Sequence, residues 1–263
     1  MEANKPRSVI NVGTSGYSYP DWKGPFYPDS LPKTEYLEYY SRYFNILELN
    51  FSFYRLPDVK QVSRLLDRMK KQFTYCVKAH QSFTHGEGTK DDLKKNFSLV
   101  RPMHESGVLG AMLFQFPFRF KNTEKNWEKL RIISDEKKEI PAVIEFRDQS
   151  WIIPATFVGL RQLGLGFCCL DGPNLPDLPG RVSALTSPIG YVRFHGRNAE
   201  KWWNHTHAWE RYSYLYSAGQ LYRWVPILKS YAKQATQIYV FFNNHYQGQA
   251  VRNAQLLMAF LSE

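Results

Sequence analysis

The 263-residue chain predicts a closed (β/α)8 barrel with parallel strands. Two observations lead there. Eight short apolar runs rich in Val, Ile, Phe and Leu recur along the chain, and segments with helical spacing separate most of them. No repeat, low-complexity tract or Gly/Ser-rich linker divides the length, so residues 9–263 are expected to form one domain after a polar tail at 1–8. An open doubly wound sheet is the rival. It usually carries a Gly-rich phosphate loop after its first strand, and GTSGYS lacks the G-x-G-x-x-G spacing.

The expected strands are VINVGTS (9–15), ILELNFS (46–52), FTYCVKAH (73–80), GAMLFQFP (110–117), AVIEFRD (142–148), LGFCCLD (165–171), GYVRFHG (190–196) and IYVFFNN (238–244). Helical spacing places helices at 34–44, 58–72, 124–138 and 217–234, the last offset or kinked by Pro226. The sixth connection, 171–188, departs from the ideal. DGPNLPDLPGRVSALTSP is too rich in proline for a long helix, and a loop with at most one helical turn is expected.

Composition narrows the function classes. With 43% hydrophobic residues the chain can bury a large core. It has no run of roughly 18 unbroken apolar residues, so no membrane partner is expected, and MEANKPRSVI has no apolar core of the secretory kind. Cys76, Cys168 and Cys169 sit in apolar runs without C-x-x-C spacing, which predicts buried thiols and a reducing, cytoplasmic setting. A net charge of +10 points to anionic partners, either an anionic small molecule or nucleic acid.

Strand parity then selects a face. Residues two apart share a side, and the polar residues fall on one side in run after run: Glu48 with Asn50, Lys78 with His80, Gln115, Glu145 with Arg147, Asp171, Arg193 with His195, and Asn243 with His245. The intervening Leu47, Leu49, Ile144, Phe146, Val192, Phe194, Val240 and Phe242 would pack outward against helices. All the polar residues lie toward the C-terminal ends of their strands, where barrel active sites are built. Desolvating about a dozen polar groups for stability alone is expensive, so a functional pocket is expected there.

Glu48, Glu145 and Asp171 supply carboxylates, His80, His195 and His245 imidazoles, and Lys78, Arg147 and Arg193 positive charge. Inward cations beside histidines suit phosphate. The expected roles are therefore anion binding by Lys78, Arg147 and Arg193, proton transfer by Glu145 and His195, and substrate orientation by Asn243 and His245. No cofactor is expected. A divalent metal is the alternative use of the carboxylates and imidazoles, but three cations would repel it and no compact ligand spacing is present. The backbone amides of Thr14 and Ser15 in GTSG could donate to an anion, and the loop does not match G-x-S-x-G. Aromatics crowd the segments after strands: Tyr17, Tyr19 and Trp22, then Phe53 and Tyr54, then Trp151, then Trp202, Trp203 and Trp209 beside Arg197, His205 and His207. Base or sugar stacking would use them, and packing of the loops over the barrel would too.

GTSGYSYPDWKGPFYP, ELNFSFYRLP, LFQFP, IEFRDQSW, YVRFHGR and FFNNHYQGQAVRNA together resemble the YecE-like family, domain of unknown function seventy-two, from about residue 10 to the C-terminus. The resemblance implies a TIM-barrel-like fold. It implies the motif residues Glu48, Asn50, Tyr54, Gln115, Glu145, Arg147, Trp151, Asp171, Arg193, His195, Arg197, Asn243, Asn244 and His245. For activity it offers only analogy with metal-dependent endonuclease-like barrels and DNA binding. RYSY (211–214) departs from the family's Y-D-Y pattern at Ser213. The functional expectation is a hydrolase or lyase of the barrel mouth acting on a phosphate-bearing substrate. A nucleic-acid-binding module without chemistry and a metal-dependent hydrolase are the alternatives.

Overall fold

The computed structural model describes residues 9–54 and 73–263, excluding the side chains of Phe51 and Tyr54. Eight parallel strands close into a barrel in the order of the chain: β1 (Val9–Ser15), β2 (Ile46–Leu49), β3 (Thr74–Lys78), β4 (Leu109–Gln115), β5 (Ala142–Glu145), β6 (Gly166–Asp171), β7 (Ile189–Phe194) and β8 (Gln237–Phe242). The last strand pairs with the first over six residues, Val9 with Gln237 through Thr14 with Phe242. All eight expected runs are strands; β1 matches its expected bounds, β6 keeps its expected end, and the other six stop two to three residues early, where the polar mouth begins.

The helices are α1 (Tyr36–Ser41), α2 (Phe51–Tyr54), α3 (Gln81–Thr84), α4 (Lys90–Glu105), α5 (Glu124–Lys137), α6 (Pro154–Gln162), α7 (Ala199–Trp203), α8 (Ala218–Tyr222), α9 (Val225–Tyr231) and α10 (Gln249–Ser262). The helix expected at 58–72 lies outside the described residues. Local chemistry starts several of them. Thr89 caps α4 in a reciprocal box with Asp92, Thr123 caps α5, and Ser217 with Gln220 boxes α8. Pro226 does more than kink the expected 217–234 helix. It opens α9, where its missing N–H costs nothing, so the segment becomes two helices. Residues 172–188 contain no helix, as their proline content requires.

Two apolar layers hold the barrel. Inside it, Ile46, Cys76, Leu113, Val143, Cys168 and Tyr239 fill the lower levels. Outside, Leu47, Leu49, Ile144, Val192, Phe194 and Val240 pack against the helices, as strand parity predicts. The three thiols are free and buried. No helix among the described residues is long and apolar enough to cross a membrane.

Candidate active site

Above the apolar levels the barrel interior turns charged, because the same inward parity now carries Glu48, Lys78, Gln115, Glu145, Arg193, His195 and Asn243. Arg193 is the centre of this layer and is 2% exposed. Its Nη1 donates to Glu145 Oε2 at 2.5 Å, and its Nη2 donates to Glu48 Oε1 at 2.7 Å and to Ser15 Oγ at 2.9 Å. Glu48 also accepts from the Ser15 hydroxyl and from Tyr191 Oη at 2.7 Å. Asn50 donates to Ser15 Oγ at 2.9 Å. One guanidinium thus bridges two fully buried carboxylates. This corrects the expectation that Arg193 is available to a substrate anion: its charge is already matched, and a third anion would have to displace a carboxylate that has nowhere to go.

Glu145 carries the network up to the mouth. Its Oε1 lies 2.5 Å from Arg147 Nε and 3.3 Å from His195 Nε2. Burial would raise its pKa, but the charges of Arg147 and Arg193, with the His195 hydrogen bond, reverse this and hold it well below the usual carboxylate range. His195 is the opposite case. Burial and the adjacent Arg147 push its pKa down to about 3, so the imidazole is neutral. Asn243 Nδ2 lies 3.0 Å from its Nδ1, and Arg147 Nη2 lies 3.2 Å from its Nε2. Arginine can only donate, so two tautomers meet these contacts: Arg147 donating to Nε2 leaves the ring proton on Nδ1 toward Asn243, and Asn243 donating to Nδ1 puts it on Nε2 toward Glu145.

Lys78, half-buried at the end of β3, places Nζ 3.7 Å from the centroid of the Phe53 ring. Burial first, then the charges of Arg193 and Arg147, lower its pKa to about 7, against a partial opposing effect of Glu145 and Glu48.

His195 and Arg147 line a cavity of about 20 Å³ under Leu178, Pro179 and Gly180 of the β6–β7 connection, walled by Leu170 and Trp202. Roughly 10–15 Å³ is enough for a water molecule on this measure. The Arg147 guanidinium lies 5.8 Å from the centroid of the Trp202 ring, and Trp202 meets His195 edge to face.

Other expected site residues stand elsewhere. Asp171 is a correction. In β6 the inward residues are Cys168 and Leu170, so Asp171 points outward, where its carboxylate accepts from Arg197 Nε at 2.7 Å, Arg197 Nη2 at 2.6 Å and Trp224 Nε1 at 2.8 Å. Arg197 is thereby committed to the wall as well. Trp151 is also a correction: it is fully buried, stacked on Phe146 and Phe120, with Nε1 donating to the Phe120 carbonyl at 2.7 Å. Asn244 clamps α10, donating to Asn253 Oδ1 and to the Tyr214 carbonyl. His80 caps α3 through the Ser82 amide, and Gln115 Nε2 donates to the Phe116 carbonyl. His245 stacks on Tyr19 with centroids 4.4 Å apart, and its carbonyl accepts from Trp22 Nε1, so it anchors the first loop. Trp203 is 55% exposed, against Phe118. The Tyr54 side chain lies outside the described residues.

The amides expected to hold an anion in GTSG are partly occupied. Of the two, Thr14 N donates to Tyr40 Oη, and next to them Gly16 N donates to the Glu48 carbonyl. Among the described residues no three His, Cys, Asp or Glu side chains gather as a metal-binding group, and the two inner carboxylates face arginine instead. Sequence reading missed Phe53 as the partner of Lys78, Tyr191 as a donor to Glu48, and the Leu178–Gly180 roof. Only the proximity of Phe53 to the end of a strand signalled the first, and nothing signalled the roof.

A closed barrel whose charged residues converge at the C-terminal ends of its strands defines the molecule as a (β/α)8 barrel of the TIM type. Residues 11–263 match the family described as protein of unknown function DUF72, and the chain belongs to that family. It is 28% identical to the UPF0759 protein YunF of Bacillus subtilis (strain 168) over 274 residues, covering 96% of this chain and 95% of that protein. The crystal structure of a DUF72 family protein from Thermotoga maritima superposes with a TM-score of 0.90 at 36% identity, covering 97% of this chain and all of that one. One from Enterococcus faecalis gives 0.84 at 23% identity, covering 97% of this chain and 96% of that one, a likeness of fold.

Proposed function

We propose that the protein is an enzyme of the barrel mouth, a lyase or hydrolase, acting on a small phosphate-bearing substrate. One observation carries the reading: a neutral imidazole, an ionised carboxylate, an arginine edge and a lysine titrating near neutrality converge at one strand-end mouth.

In this reading Arg147 grips the anion with the Nη edge left over from its contact with Glu145, and Trp202 packs against the bound ligand. His195 donates from Nε2 as a neutral imidazole. Glu145, held as a carboxylate, orients it. Glu145 is too weak a base for neutral pH on its own, because efficient proton transfer wants a pKa near the operating pH. Lys78 meets that condition. Glu48 and Arg193 act as positioning residues that fix Glu145 from below.

A thermal-shift panel of phosphorylated aldehydes, ketones, sugars and nucleotides, each against its unphosphorylated counterpart, tests the reading. At a hundred times Kd a ligand adds about 2.7 kcal/mol. At least one phosphorylated class is expected to raise the melting temperature in a concentration-dependent way while its counterpart does not. Equal responses from both members of every pair would overturn it.

A second reading, a surface for single-stranded nucleic acid, draws on Trp209 stacked 4.2 Å from Tyr246 beside the exposed Trp203. An oligonucleotide in the same panel that shifts the protein more than any small phosphate favours it.

A further inference from the structure

Lys78 has an environment that its role as a proton carrier does not explain. An amine that only had to hold an anion would remain an ammonium, and pairing with one of the nearby carboxylates would keep it so. Instead both carboxylates at this level are taken by arginines, and among the described residues neither pairs with Lys78. Its nitrogen sits against an aromatic face, 3.7 Å from the Phe53 centroid. It lies at the C-terminal end of β3, on the inward side that continues from the buried Cys76, and is half-buried, so a small molecule entering the mouth can reach it. Two fixed cations, Arg193 and Arg147, face it from β7 and the end of β5, Glu145 and Glu48 oppose them, and His85 lies beyond Phe53, ring centroids 5.0 Å apart.

We propose that Lys78 is a nucleophile that forms an imine with an aldehyde or ketone substrate carrying a phosphate, which makes the reaction a lyase cleavage next to that carbonyl. The proposal rests on the mouth being the active site and narrows its chemistry. Desolvation and neighbouring cations are the two means by which proteins turn lysine into an amine nucleophile, and both act here. With a pKa of about 7, near half of the Lys78 population is the free amine at neutral pH.

The step balances without an external reagent. The Nζ lone pair adds to the carbonyl carbon, and a C–N bond forms. The two amine hydrogens leave with the carbonyl oxygen as water, and C=N replaces C=O. Once protonated, the iminium accepts the electron pair of the Cα–Cβ bond and becomes an enamine, while the hydroxyl on the β-carbon gives its proton to water and the departing fragment leaves as an aldehyde. Reprotonation at carbon and addition of water return the amine and release the product. Arg147, whose charge acts on Lys78, would hold the phosphate, and His195 Nε2 lies 3.2 Å from Arg147 Nη2.

Reductive trapping tests this on the full chain. The protein is incubated with dihydroxyacetone phosphate and sodium cyanoborohydride at pH 7, and the modified residue is located by peptide mass mapping. The expected result is one adduct per chain on Lys78, at least tenfold above the mean occupancy of the other lysines. Occupancy should fall as the pH drops below 7, since the amine is then protonated. Lys78→Arg, which keeps the charge and the bulk, should lose the adduct while its thermal melting stays near wild type. Modification spread over surface lysines, in the same pattern in wild type and Lys78→Arg, would overturn the imine. The outcomes separate the two levels: a thermal shift by phosphorylated compounds without trapping at Lys78 removes the imine and leaves the anion-binding mouth standing, while absence of both removes the mouth reading too.

Discussion

Replacing Arg193 with methionine is expected to destabilise the protein by about 3–5 kcal/mol, read as a fall in the urea midpoint, because it breaks a buried ionic network by removing one partner. Arg193 is 2% exposed, and Glu48 and Glu145, both fully buried, depend on it. Arg147 would still neutralise Glu145, but Glu48 would keep only the Tyr191 and Ser15 hydroxyls. Replacing all the members with well-packed apolar residues could be neutral; removing one is not.

The same change should reverse a pH dependence. In the wild type the folded pKa of Glu145 is depressed, so its contribution is present above the ordinary carboxylate pKa and is lost as pH falls through the lower folded value. In Arg193→Met a buried carboxylate without its cation is raised above its unfolded value. Folding then takes up a proton, and the variant should gain stability as pH is lowered from 8 toward 5. Urea midpoints at pH 5, 6.5 and 8 check the sign in the variant, and a wild-type series from pH 5 down to 3 checks the other. A variant as stable as wild type at pH 8 would contradict the central place given to Arg193.

Trp151→Ala is the second large effect, about 3–5 kcal/mol from the cavity alone. The indole is sandwiched by Phe146 at 4.2 Å and Phe120 at 5.4 Å with nearly parallel rings, and Trp127 closes one edge. Losing it also orphans the Phe120 carbonyl that accepts its N–H. The protein should melt much earlier, yet below its melting temperature it should bind ligand as well as wild type, because Trp151 does not line the mouth. Trp202→Ala is the contrast: its indole packs beside Arg147 and meets His195 edge to face, so ligand affinity is lost first. Weakened binding by folded Trp151→Ala would restore the stacking role that its place in the motif suggested.

These cases mark how far the chain could be read. Strand positions and the inward face were legible because alternation of apolar and polar residues is a local signal with a period of two. It placed Glu48, Lys78, Glu145, Arg193, His195 and Asn243 in one chamber. It failed at Asp171, whose inward neighbours Cys168 and Leu170 are apolar, so β6 offers no polar alternation to set its phase. It also could not show that Arg193 is spent on two carboxylates, since pairing joins β2, β5 and β7 across the barrel. Trp151 and Trp202 both follow strands, and only the tertiary packing separates the buried slab from the mouth wall. The pKa of Lys78 likewise depends on burial and on Arg193 and Arg147, which other segments supply.

Isothermal titration of dihydroxyacetone phosphate into wild-type protein, Arg147→Ala and Arg252→Ala tests the central claim most directly. Arg252 is exposed on α10 and lines a separate hollow with Asp21, Lys23, Pro25 and Gln247. A charge-assisted contact contributes about 1.5–3 kcal/mol, which is roughly ten- to a hundred-fold in Kd. The account predicts that Arg147→Ala weakens binding by at least tenfold while Arg252→Ala leaves it unchanged. Equal affinity in all three proteins, or a loss confined to Arg252→Ala, would contradict it and move the anion from the barrel mouth to the basic surface.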